Sequence, residues 1–249
     1  MITDPQFYFW AIAAVLLVGL SKSGFLSGFG AVATPLMAMA VPVPQAAAIM
    51  LPLLCLMDLT SLQQMWRNRD QDLLRLLVPA GLLGILFGTV LFSRVSAPVV
   101  SVVVGVLTLL FLLQRLVMKP RAHRAAPSPR WGFALGIVSG FTSFVAHAGG
   151  PPLSAYVLPM RLDPMRVTAT TAVFFSAVNM AKWLPYAALG LLDTRNLWTS
   201  LVLAPLAPVG VWAGVWMSRR TASDWFYRVA YTGMAAAGGK LLWDGWRAL

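Results

Sequence analysis

His147-Ala148-Gly149-Gly150-Pro151-Pro152 interrupts an apolar stretch with two glycines and two prolines, and Ser21-Lys22-Ser23-Gly24 interrupts an earlier one with a lysine among small residues. Neither break resembles a charged surface loop. Each separates two short apolar pieces, about Phe7 to Leu20 and Phe25 to Val43 in the first case, Trp131 to Val145 and Pro152 to Leu162 in the second. As helix, Phe7 to Ser21 reaches only about 22 Å, against a hydrocarbon core of about 30 Å. The reading is a helical hairpin whose tip stops inside the membrane. Two tilted full spans joined by a tight glycine turn are the alternative.

Outward from these breaks the chain stays apolar. Runs at about Ala46 to Trp66, Leu73 to Phe92 and Val95 to Val117 follow the first pair, and Val167 to Leu192, Leu197 to Met217 and Trp225 to Trp243 follow the second. Such pieces are too many and too long for the core helices of a water-soluble chain of 249 residues. Hydrophobic residues make up 59% of the chain and charged residues 11%, where soluble domains have roughly 45–50% and 25%. The expected fold class is an all-α integral membrane protein of one domain, with no room for a sizeable soluble unit.

The remaining composition excludes several functions. A net charge of +11 could point to nucleic acid, but the basic residues stand singly or in small groups between apolar runs, where membrane topology puts them. Cys55 lies alone in an apolar run, so neither a disulfide framework nor a thiolate cluster is expected. His123 and His147 are too few for a histidine-rich metal centre, and no cofactor is expected. No zincin pair or serine elbow is present, which argues against an enzyme. Met-Ile-Thr-Asp-Pro carries no positive charge ahead of the first apolar run, so that run reads as a retained helix.

The halves echo each other. Pro44 and Pro164 each follow the second short piece, and Pro79, Gly84, Gly88 and Arg94 recur at one constant spacing as Pro205, Gly210, Gly214 and Arg220. Residues 1–118 read as a first repeat, 119–130 as a basic cytoplasmic linker that also meets lipid headgroups, and 131–249 as a second repeat. A hairpin returns to the side it entered and three ordinary spans follow it. Each half therefore crosses an odd number of times, which makes the two repeats inverted. An external N-terminus puts Arg67, Arg69, Arg75, Arg115, Lys119, Arg121, Arg124, Arg130, Arg161, Arg166, Arg219 and Arg220 inside and leaves mainly Arg94, Arg195 and Arg247 outside. Both termini are then expected on the outer face.

Interrupted helices in inverted halves point to a substrate site near the midplane, where unpaired N–H groups and helix dipoles hold an anion. Ser21 and Ser23 offer hydroxyls, Gly24, Gly149 and Gly150 let backbone approach a ligand, and Pro151 or Pro152 starts a short returning helix without losing a needed hydrogen bond. Lys22 either binds the anion, forms a structural ion pair or snorkels to the surface. His147 is a ligand or a hairpin cap, and the glycines also suit close packing. Asp58, Asn179 and Lys182 lie well inside their runs, and Asn179 and Lys182 are expected among the ligands of the anion. Asp58 is expected to pair with Lys22 or Lys182 or to act as a protonatable coupling group, with a bridge that only fixes packing as the alternative.

These residues resemble the sulfite exporter TauE/SafE family of bacterial membrane permeases over nearly the whole length. The resemblance rests on Gly19-Leu20-Ser21-Lys22-Ser23-Gly24, Gly28 to Pro35 and Pro52 to Asp58 in the first half. In the second it rests on Gly140-Phe141-Thr142-Ser143, His147 to Pro152, Ala169 to Phe175, and Asn179 with Lys182. The first half departs from the family's fuller glycine cluster with Gly28-Phe29-Gly30-Ala31-Val32-Ala33. The resemblance implies a two-repeat transporter in a bacterial inner membrane that exports sulfite, sulfoacetate or related organosulfur anions, or takes up sulfate-like anions. A passive anion channel is the rival. Expected partners are a small anion and membrane lipid, with a homo-oligomer also admitted.

Overall fold

A computed structural model describes residues 2–22, 29–117, 127–218 and 224–249. Within them the secondary structure is helical, without strands. The first half runs α1 (Pro5–Lys22), a 3-10 turn (Phe29–Val32), α2 (Ala33–Met37), α3 (Val43–Met65), α4 (Gln71–Phe92) and α5 (Ala97–Val117). The second runs α6 (Pro129–Ala146), α7 (Gly150–Val157), a 3-10 turn (Leu158–Met160), α8 (Pro164–Ala188), α9 (Thr194–Leu203), α10 (Leu206–Ser218) and α11 (Asp224–Arg247).

Helix starts follow capping chemistry. The Asp70 carboxylate accepts from the N–H groups of Asp72 and Leu73 at the start of α4, Asp163 caps α8 ahead of Pro164, and Asp193 caps α9. Four helices, α1, α3, α4 and α5, are long and apolar enough to cross a membrane. Helices α9 and α10 make a fifth if they form one span bent by 44°. That bend falls at Ala204-Pro205 inside the expected single run Leu197 to Met217, because a proline supplies no N–H to the turn before it. Helices α6, α8 and α11 have 18, 25 and 24 residues.

One expectation needs correcting. The first arm of the leading hairpin is not a short helix of about 22 Å. Proline at position 5 starts α1 before the apolar run, and the last turn carries on through Lys22, giving 18 residues. Among the described residues, the short pieces are those that follow α1 and α6. One is the 3-10 turn with the five-residue α2, and the other is the eight-residue α7 with its own 3-10 turn.

Helix α4 lies along α6, α1 along α10, α3 along α8, and α5 along α11. Glycines set the first two contacts. A methyl at Gly84 would stand 2.1 Å from the Ile137 carbonyl oxygen, one at Gly140 2.0 Å from that of Gly81, and one at Gly19 2.6 Å from the backbone of Gly210. Backbones this close leave no room for a side chain. Helices α3 and α8 thereby form the centre of the bundle, with the ends of α1 and α6 brought against them.

Candidate functional site

Lys22 is the last residue of α1, and its ammonium forms an ion pair with Asp58 of α3. The other Asp58 oxygen accepts from the Asn179 side-chain amide of α8 at 2.6 Å. The carboxylate, 2% exposed, is thus tied to both halves of the chain. Of the two partners expected for Asp58, the structure pairs it with Lys22.

Lys182 stands three residues beyond Asn179 on α8 and is fully buried. Its Nζ donates to the Ser143 carbonyl at 3.0 Å and approaches Ser143 Oγ at 3.2 Å and His147 Nδ1 at 2.8 Å. His147 Nε2 lies 2.9 Å from the Ala47 carbonyl oxygen of α3. A carbonyl only accepts, so Nε2 carries the ring proton and Nδ1 accepts from Lys182. His147 also ends α6 in the left-handed conformation, with φ of 53°, and its N–H returns to the Ser143 carbonyl at 3.0 Å. Both ring nitrogens are therefore engaged with protein groups.

Gly149 packs where a methyl would stand 2.6 Å from the Ser139 carbonyl oxygen, and its own carbonyl accepts from Ser139 Oγ at 2.7 Å. Its smallness serves this contact between α6 and the start of α7.

A cavity of about 370 Å³ lies between the end of α1, α3, the second hairpin and α8. Its polar end is lined by Ser21, Lys22, Asp58, Ser143, His147, Gly150 and Asn179. From there it extends past Phe175, Thr171, Thr168 and Val167 to Pro164 and Leu162 at the start of α8. At that end Arg166 bridges to Asp70 at 3.1 Å, and Thr170 Oγ1 accepts the Asp70 N–H at 2.9 Å. Pro151 faces a second cavity, of about 260 Å³, with Thr108, Gln114 and Thr142.

Of the residues singled out in the sequence, Ser21, Lys22, Asp58, His147, Gly150 and Asn179 thus meet around one space. Lys182 and Gly149 stand outside its wall, and Ser23 and Gly24 lie outside the described residues. Ser143, Thr168 and Thr171 line the cavity as well. Ser143 carried a usable signal, since it lies one turn before His147 on the same face of α6. Among the described residues, no cluster of three or more His, Cys, Asp or Glu is placed to hold a metal ion.

Apolar helices packed around a charged internal cavity define a multi-pass membrane protein. The chain belongs to the sulfite exporter TauE/SafE family, whose model matches residues 11–241. This is a family of membrane transporters. Among curated proteins and among solved structures, none matches the chain.

Proposed function

We propose that the chain is a secondary carrier that exports small oxyanions such as sulfite or organosulfonates, by alternating access of one site between the two hairpin tips. The observation that carries this reading is the cavity itself. It joins Lys22 and Ser21 of the first hairpin, Ser143, His147 and Gly150 of the second, and Asp58 and Asn179 of the two central helices. A lysine, an amide and hydroxyls around a space of this size suit an oxyanion.

Inverted repeats over 1–118 and 131–249, joined by the basic segment 119–130, supply the two exchangeable arrangements. The packing supports this pairing of halves. Helix α4 against α6 has its counterpart in α10 against α1, with glycine contacts in both, while α3 with α8 and α5 with α11 pair each element with its own equivalent. With both termini on the outer face of a bacterial inner membrane, the cavity runs toward the cytoplasmic end, where Arg161 and Arg166 lie. An inside-negative potential then favours expulsion of an anion by about 2.3 kcal/mol per charge for each 100 mV, without nucleotide.

Lys22→Ala removes the cation and leaves Asp58 facing the cavity as an unpaired negative charge. Sulfite and methanesulfonate efflux from reconstituted vesicles should fall to the level of empty vesicles while the protein remains folded in detergent. Wild-type flux from this variant would remove Lys22 from the site. Flux that never saturates with substrate would turn the reading toward a channel.

A further inference from the structure

The charges inside the bundle do not balance. The chain has eight acidic residues, all of them aspartates. Seven stand within a turn of a helix end or just outside one, and only Asp58 sits in the middle of a helix. It neutralises Lys22 and takes its second hydrogen bond from the uncharged Asn179. Among the described residues, no carboxylate pairs with Lys182. Its three neighbours, the Ser143 carbonyl, Ser143 Oγ and His147 Nδ1, lie at 3.0, 3.2 and 2.8 Å and are all uncharged. They match the three donors of an ammonium. With Lys182 protonated, two central cations among the described residues face one central anion, and the surplus charge is on the fully buried lysine.

Ser143 stands between that charge and the open space. Its Oγ accepts from Lys182, its carbonyl holds the same ammonium, and the residue lines the cavity. A hydroxyl whose lone pair is engaged by an ammonium keeps its O–H for another acceptor, and the nearby charge makes it a stronger donor.

We propose that the cavity selects a singly charged oxyanion, with the Ser143 hydroxyl as a direct ligand and Lys182 behind it as the positioning charge; the inference rests on the anion-carrier reading above. A monoanion brings the central charges to zero. A dianion leaves one negative charge without a partner in a medium where that is costly. Alkanesulfonates and hydrogensulfite are monoanions, whereas sulfate and fully ionised sulfite are dianions.

Binding to the purified protein tests this with two anions of fixed charge, methanesulfonate and sulfate. The expected result is methanesulfonate bound at least about tenfold more tightly. Equal binding, or tighter binding of sulfate, overturns the charge selection and leaves an anion carrier standing. Binding of neither by folded protein removes the carrier reading and the inference with it.

Variants then locate the charge. Lys182→Met should weaken methanesulfonate at least about tenfold, and an unchanged affinity overturns the role of Lys182. Asp58→Asn keeps an acceptor for Lys22 while adding a second surplus positive charge, so the preference should move toward sulfate. The double variant Lys182→Met with Asp58→Asn returns the surplus to one, carried by Lys22, and should recover methanesulfonate binding. A folded double variant as weak as Lys182→Met alone overturns the charge balance, since a merely structural lysine would not be rescued by removing a carboxylate. Ser143→Ala should weaken both anions severalfold, and an unaltered affinity for both would remove Ser143 as a ligand.

Discussion

The ends of α1 and α6 meet the central helices in opposite ways. The first brings a lysine, Lys22, to a carboxylate that waits on α3. The second brings a carbonyl, a hydroxyl and an imidazole to a lysine that waits on α8. The end of α1 therefore carries a neutral ion pair on the cavity wall, and the end of α6 wraps a lysine without a carboxylate just outside it. Two helix ends at one cavity thus differ in their electrostatics, and the difference is decided by where the single central carboxylate falls.

Removing that carboxylate breaks the contrast most severely. In Asp58→Ala both central lysines lack a counter-ion and Asn179 loses its acceptor. Truncating one member of a buried pair costs about 3–5 kcal/mol, and the Lys22 side chain, 16% exposed, keeps enough contact with the cavity to put the loss near the lower figure. Thermal unfolding in detergent should show the largest drop of any variant discussed. A loss as small as that of a surface substitution would mean that Lys22 finds water or another acceptor as readily as Asp58. Excess chloride should restore part of the stability, because the emptied site then carries two surplus positive charges.

How much of this was legible in the sequence differs between the two tips. Asp58 could be named as a partner of either Lys22 or Lys182, because it stands alone in the middle of an apolar run and a buried lysine needs a counter-ion; the choice of Lys22 needed the packing. The place of Lys182 was not legible. Its place in the same run as Asn179 groups it with the ligands. Residues 179 and 182 are less than one turn apart, however, and only the packing of α6 against α8 decides which reaches the cavity. The order of the apolar segments was readable from hydropathy and the lengths less so, since Pro5 and Lys22 extend α1 beyond its apolar stretch. The break between α9 and α10 needed the backbone. Pro205 was visible, but Pro52, Pro79 and Pro185 sit inside helices that continue through them.

His147 offers a finer test, because it joins two roles that substitution can separate. Its ring links Lys182 to Ala47, and its backbone takes the left-handed turn that ends α6. His147→Ala loses the ring contacts and keeps a side chain at a positive φ. His147→Gly loses the same contacts and relieves the backbone. The glycine variant should be the more stable of the two by about 1 kcal/mol. Equal unfolding temperatures would mean that the helix end relaxes once the ring has gone, and that Lys182 holds the turn in place through His147.

The smallest expected effect sharpens the comparison from the neutral side. Ser139→Ala deletes the donor to the Gly149 carbonyl, a buried bond of 2.7 Å that spans the turn of the second hairpin without touching any charged group. The stability loss should be about 1 kcal/mol, the net worth of a buried hydrogen bond, since the Gly149 carbonyl keeps the Leu153 N–H at 3.4 Å. Overall anion affinity can fall as the hairpin loosens. The ratio of methanesulfonate to sulfate binding should not move, because every formal charge stays where it was. A ratio that shifts in this variant would place selection in the shape of the turn, and the bare cation behind the second tip would then matter only for holding Ser143 and His147 together.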